Sequence, residues 1–173
     1  MNLTHPLEQL NQYSGAAIAL AQQYAGDFDV AVDLVNDTML KLCQVRQMPV
    51  GHELKLWFLK AVRNYCIDHY RRQQTQQQFL LQASGSAPLT DLDSHTNQPL
   101  EALIQADQTR HFHHAFAQLS DAHRELLALR EFNQLSYREI ATITGLPVGS
   151  VMSGLSRARE HLRQLIFVPA ERG

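Results

Sequence analysis

Residues 136–163 read SYREIATITGLPVGSVMSGLSRAREHLR, and that stretch decides the fold. Ser136 and Glu139 stand in capping-box spacing, so a short helix is expected over 137–144, with Ile140 and Ala141 turned inward. Gly145 suits the positive φ of a tight helix exit, LPVGS turns the chain, and a long helix over 148–167 follows. Leu146 and Val151 are expected to fill the angle between the helices, with Leu155 and Ala158 following at helical spacing. The layout is a helix-turn-helix. Its second helix turns Ser150, Met152, Ser153, Ser156 and Arg157 outward, where a recognition helix meets the major groove. Arg138, Arg157, Arg159 and Arg163 suit phosphates. A helical hairpin with solvated arginines would look the same, so this segment does not settle function by itself.

Outward from it, the chain is rich in Ala, Leu, Gln and Glu and poor in β-branched runs, which predicts an all-α fold. Ser120-Asp121 caps a helix expected over 121–133, and helical pattern begins near Leu100. Residues 83–99 are rich in Ser, Asp and Pro and have almost no helical periodicity, which reads as a flexible tether. The expected division is an N-terminal helical domain over 1–82, a flexible linker over 83–107 and a helix-turn-helix domain over 108–173. In the first domain a helix over about 5–24 carries Leu7, Leu10, Ala17, Leu20, Ala21 and Tyr24 on one stripe. Gly26 and Asp27 break and re-cap the chain. A second helix over 28–46 is expected to bury Val30, Leu34, Val35, Thr38 and Leu42, with Asp33, Asn36, Asp37, Lys41 and Gln44 on the other side. Pro49 and Gly51 enforce a short loop, and a third helix runs over about 53–72, fraying to 82.

The formal net charge of −2 hides an uneven distribution. Residues 1–82 hold seven basic and seven acidic side chains, 83–107 none and four, and 108–173 eight and six. Within the first block, Lys55, Lys60, Arg63, Arg71 and Arg72 face Asp68 alone over residues 55–72. A basic helix beside a shaped loop suits a single strand, whose phosphates need cations and whose flipped base needs a pocket. Lys60, Arg63, Asn64 and Arg71 fall within reach of one helical face with Arg72 beside them, while Trp57 and Phe58 recur at core spacing.

Other chemistry finds little to work with. No stretch approaches the roughly 20 apolar residues of a membrane span, and the N-terminus lacks a basic start with an apolar run, so a cytoplasmic protein is expected. Cys43 and Cys66 lie in apolar helical patterns and read as reduced structural thiols. His111, His113 and His114 cluster without a nearby Cys, which favours solvated or linker-packing side chains over a metal site. His52-Glu53 lacks the second His of H-E-x-x-H, and no phosphate-loop, nucleophile-elbow or C-x-x-C motif occurs. The sequence thus predicts no catalytic residue, cofactor or metal.

Three ordered motifs resemble the extracytoplasmic-function (ECF) sigma factors of bacterial RNA polymerase. They are DLVNDTMLKL, then WFLKAVRNYCIDHYRR, then LSDAHRELLALREFNQLSYREIATITGLPVGSVMSGLSRARE. The resemblance covers that family's regions two and four, at about 27–72 and 110–167. It implies docking of the polymerase β′ clamp helices on Asp33, Asn36, Asp37 and Lys41. It implies opening of the −10 element and capture of its non-template bases by residues 46–52 with Lys60, Arg63, Asn64, Arg71 and Arg72; Asp68 would orient the neighbouring basic groups. The helix-turn-helix would read the −35 element through Arg138, Ser150, Met152, Ser153, Arg157 and Arg159 and rest near the β flap. An anti-sigma factor is the further partner implied. Met152 stands where the family usually has Lys or Arg, and Gly154 where it has Arg, which suggests two missing DNA contacts. Asn36 replaces a common Gln. A stand-alone helix-turn-helix regulator and a protein-interaction adaptor on the same scaffold are the rival readings.

Overall fold

The computed structural model describes residues 6–84 and 100–167, and among them every regular element is helical. In chain order these are α1 (Pro6–Asn11), α2 (Ser14–Ala25), α3 (Phe28–Leu42), α4 (His52–Ser84), α5 (Leu100–Ala117), α6 (Asp121–Leu127), a π-helical turn (Ala128–Phe132), α7 (Tyr137–Thr144) and α8 (Val148–Phe167).

Local chemistry sets most of the boundaries. Gly26 ends α2 in the left-handed region at φ 69°, where a side chain would be strained, and Asp27 accepts a hydrogen bond from the Val30 amide at 3.0 Å to start α3. Ser120 caps α6 through the His123 amide. Ser136 and Glu139 form the reciprocal capping box of α7, and Gly145 closes that helix at φ 76°.

The expected first helix is two. The chain tightens after α1, where the Tyr13 amide reaches back to the Leu10 carbonyl at 2.9 Å. That break turns the Tyr13 hydroxyl toward the carbonyl of Gly51 at 3.2 Å, tying the N-terminus to the loop before α4. In α3 the buried stripe is Ala31, Leu34, Val35, Thr38 and Met39 with Leu42 half-buried, so Val30 falls one position off the apolar face and is exposed. Helix α4 continues well past residue 72: its glutamines are good helix formers, and Gln73–Phe79 run on as an exposed spine. Residues 100–107, expected in the linker, belong to α5, and residues 85–99 lie outside the described residues.

The N-terminal core joins Leu10, Leu20, Leu34, Val35, Leu54, Phe58, Leu59 and Val62. Phe58 is fully buried, whereas Trp57 is only half-buried against this core. In the C-terminal half Leu129, Leu135, Ile140, Ile143, Val151 and Leu155 are fully buried. Leu146 is 42% exposed rather than wedged between the helices, because the left-handed step at Gly145 turns it outward; Val151 fills that angle. The halves also meet each other, α2 lying against α6 and the π-helical turn, and α4 against α7.

Candidate nucleic-acid interface

Helix α4 carries the basic row. Lys60, Asn64, Arg71 and Arg72 are all exposed, as is Asp68. On a 100° helical step Lys60, Asn64 and Arg71 lie within a narrow arc, with Arg72 to one side and Arg63 to the other. The Pro49–Gly51 loop precedes the same helix, with Gly51 at φ 62° and held by Tyr13. Four of the five expected strand contacts are thus exposed along one helix.

Arg63 is the exception. Its side chain is 19% exposed and pairs with Glu125 of α6: Nε donates to Oε1, and Nη2 donates to Oε2 at 3.2 Å. The Tyr24 hydroxyl of α2 donates to the same Oε1. Burial, followed by the Glu125 charge and hydrogen bond, raises the Tyr24 hydroxyl far above its ordinary range. Burial alone would lower the Arg63 guanidinium, but its bonds to Glu125 more than offset that and hold it above its usual value.

On α3, Asp33, Asn36, Asp37 and Lys41 form an exposed polar face. Tyr65 of α4 organises part of it, its hydroxyl donating to Asp37 at 3.2 Å while the Lys41 ammonium rests 3.9 Å from the ring centroid.

On α8, Ser150, Met152, Ser153, Ser156 and Arg157 point outward together, Met152 at 51% exposure, and Arg138 is exposed on α7. Arg159 is not part of this row. It turns back to Glu131 of the π-helical turn, with Nη2 at 2.6 Å from Oε1, and that bond raises its already high pKa. Gly154 is buried, and a Cβ there would come 2.6 Å from the Leu126 side chain of α6. It is therefore a packing glycine that lets α8 approach α6, and it faces away from the surface that would meet DNA. Of the two departures, Met152 alone lies on the outward row of α8.

Both cysteines are free thiols; burial pushes Cys66 up to about 12, which leaves it protonated and inert. His111, His113 and His114 lie on α5, and among the described residues no group of three His, Cys, Asp or Glu side chains is placed to hold a metal ion. Sequence reasoning missed Tyr24, Glu125 and Tyr65. Tyr24 matched an apolar stripe and Glu125 an ordinary helical turn; Glu125 lies 101 residues from Tyr24 and 62 from Arg63 in sequence, where no local pattern reaches.

Comparison with known proteins identifies the two halves by family. Residues 10–76 match the family model for Sigma-70 region 2, and residues 110–162 that for Sigma-70, region 4. The chain is 30% identical over 137 residues to the RNA polymerase sigma factor YlaC of Bacillus subtilis, covering 79% of this chain and 77% of that protein. It is 30% identical over 156 residues to the ECF RNA polymerase sigma factor EcfG of Rhodopseudomonas palustris, covering 87% and 78%. Among solved structures, the sigma factor RpoE of Bartonella quintana, crystallised with the anti-sigma factor NepR, superposes with a TM-score of 0.69 at 27% identity over 94% of this chain and 97% of that one. With both regions present in order, each carrying its polar surface outward, the chain belongs to the ECF sigma factors, non-enzymatic subunits that direct RNA polymerase to promoters.

Proposed function

We propose that the two halves divide one promoter between them. Residues 1–82 dock on core polymerase through Asp33, Asn36, Asp37 and Lys41 on the β′ clamp helices, and hold the melted −10 strand along residues 46–52, Lys60, Arg63, Asn64, Arg71 and Arg72. Residues 108–173 hold the −35 duplex through Ser150, Met152, Ser153 and Arg157 on α8, with Arg138 on a phosphate, and rest near the β flap. The segment between α4 and α5 connects the two halves. Arg159, engaged with Glu131, supports the reader from behind.

The observation that carries this reading is the exposed row Lys60, Asn64, Arg71 and Arg72 along α4, the helix that the Gly51 loop leads into, on a chain whose α8 turns a second polar row outward. Cations on a single helical face suit a strand's phosphates, and a polar helix face fits the major groove. With a formal charge of −2, the free protein holds DNA weakly and relies on polymerase for much of its affinity. Likeness to a sigma factor solved with its anti-sigma factor supports a protein antagonist as a further partner. The work is done where polymerase is, in the cytoplasm; no helix among the described residues is long and apolar enough to cross a membrane.

Run-off transcription with core polymerase over a promoter library tests the proposal. Promoter-dependent product is expected only when the chain is added. Tight duplex binding by the chain alone, with no product, would instead identify a stand-alone regulator.

A further inference from the structure

The Glu125 carboxylate is an unusual group to bury. The residue is 7% exposed, it belongs to the C-terminal half, and the partners that satisfy it belong to the N-terminal half. Tyr24 comes from α2 and Arg63 from α4, so three elements converge on one charge. A carboxylate removed from water is costly unless fully paired, and the pairing here exists only while the halves are together.

Two lesser contacts cross the same boundary. Lys55 Nζ donates to the Asn133 carbonyl at 3.1 Å, and His52 pairs with Glu139. Beside this clasp a groove of about 720 Å³ opens between α2, α5 and the π-helical turn, lined in part by Tyr24, Phe112, Phe116 and Phe132. The apolar cores of the two halves are continuous, so the clasp is the charge-dependent part of their interface rather than all of it.

We propose that Glu125 is an intramolecular latch that occupies Arg63 with a carboxylate where the promoter would supply a phosphate, holding the two DNA-reading halves closed until they are pulled apart. The latch rests on the assignment of Arg63 to the −10 strand. In the closed chain Lys60, Asn64, Arg71 and Arg72 remain exposed, so the row lacks Arg63 alone among its cations. Opening releases Arg63 to the strand and Glu125 to water in one event. Closed and strand-bound states therefore exclude each other at a single guanidinium. The apparent affinity of the free chain for a strand then falls by the fraction of molecules that are closed.

The full-length chain tests this. Glu125→Gln keeps the side chain's shape and removes its charge. Small-angle scattering should show an expanded particle, and a short fluorescent single-stranded oligonucleotide of mixed sequence should bind about fivefold tighter or more. That gain should vanish in Glu125→Gln/Arg63→Gln. If Glu125→Gln misfolds by circular dichroism, Tyr24→Phe weakens the same clasp and should act in the same direction. Unchanged dimensions and affinity in the folded variant overturn the latch, and so does expansion without a gain in affinity. Arg63→Gln alone, assayed for promoter opening with core polymerase, judges the strand assignment separately: opening unaffected there removes Arg63 from the −10 site whatever the latch variants do.

Discussion

At the scale of single residues, two positions, Gly154 and Glu139, have effects that can be read from their surroundings. A Cβ at Gly154 would come 2.6 Å from Cδ1 of the buried Leu126 side chain, so a larger residue there must displace Leu126 and overpack the α6–α8 contact. Gly154→Arg should cost about 1–3 kcal/mol in thermal or urea unfolding, beyond any gain in helix propensity, and should leave −35 preference unimproved. Glu139 is held down to about 2 by His52 and by the Ser136 amide that it caps, against an ordinary value of 4.5. Because its folded value is depressed, its stabilising contribution is complete above pH 4.5 and is lost as pH falls from there toward 2. Urea midpoints followed over that range should drop more in the native chain than in Glu139→Gln, and parallel curves would contradict the assignment. The capping box was legible in the sequence because S-x-x-E is a local pattern. The role of Gly154 was not, since nothing within α8 announces the helix that crosses it.

Among the elements, α8 and α3 present surfaces whose loss should be specific. Arg157 is exposed on the outward row of α8. Arg157→Ala should weaken duplex binding by the polymerase complex evenly across promoter sequences and reduce the salt slope by about one. A change confined to one base position would instead make Arg157 a base reader. Asp33 and Asp37 are exposed on α3, so Asp33→Arg/Asp37→Arg should abolish co-elution with core polymerase while barely moving the unfolding midpoint. Helix identity and order were legible because Gly26, Asp27, Ser120, Ser136 and Gly145 punctuate the chain locally. Two features escaped, the break before α2 and the π-helical turn within the helix expected at 121–133, while the glutamine stretch expected to fray is regular helix to Ser84. Each depends on tertiary contacts or on weak propensities that a sequence window averages away.

For the whole molecule, the two modules and most of their outward polar residues were legible, because amphipathic stripes and basic clusters are written along single helices. Their closure on each other was not, since it hangs on Glu125 meeting Arg63 and Tyr24 across the fold. In the closed chain Arg63 is paired with Glu125 and stands apart from the exposed row of α4. The central claim is that the row on α4 captures a melted strand while α8 holds duplex DNA. Permanganate reactivity of thymines in the −10 region, measured with core polymerase on a responsive promoter, tests this most directly. The native chain should make those thymines reactive, and Lys60→Ala/Arg71→Ala/Arg72→Ala should abolish the signal while the polymerase still binds the −35 duplex. Equal reactivity in the triple variant would contradict the account.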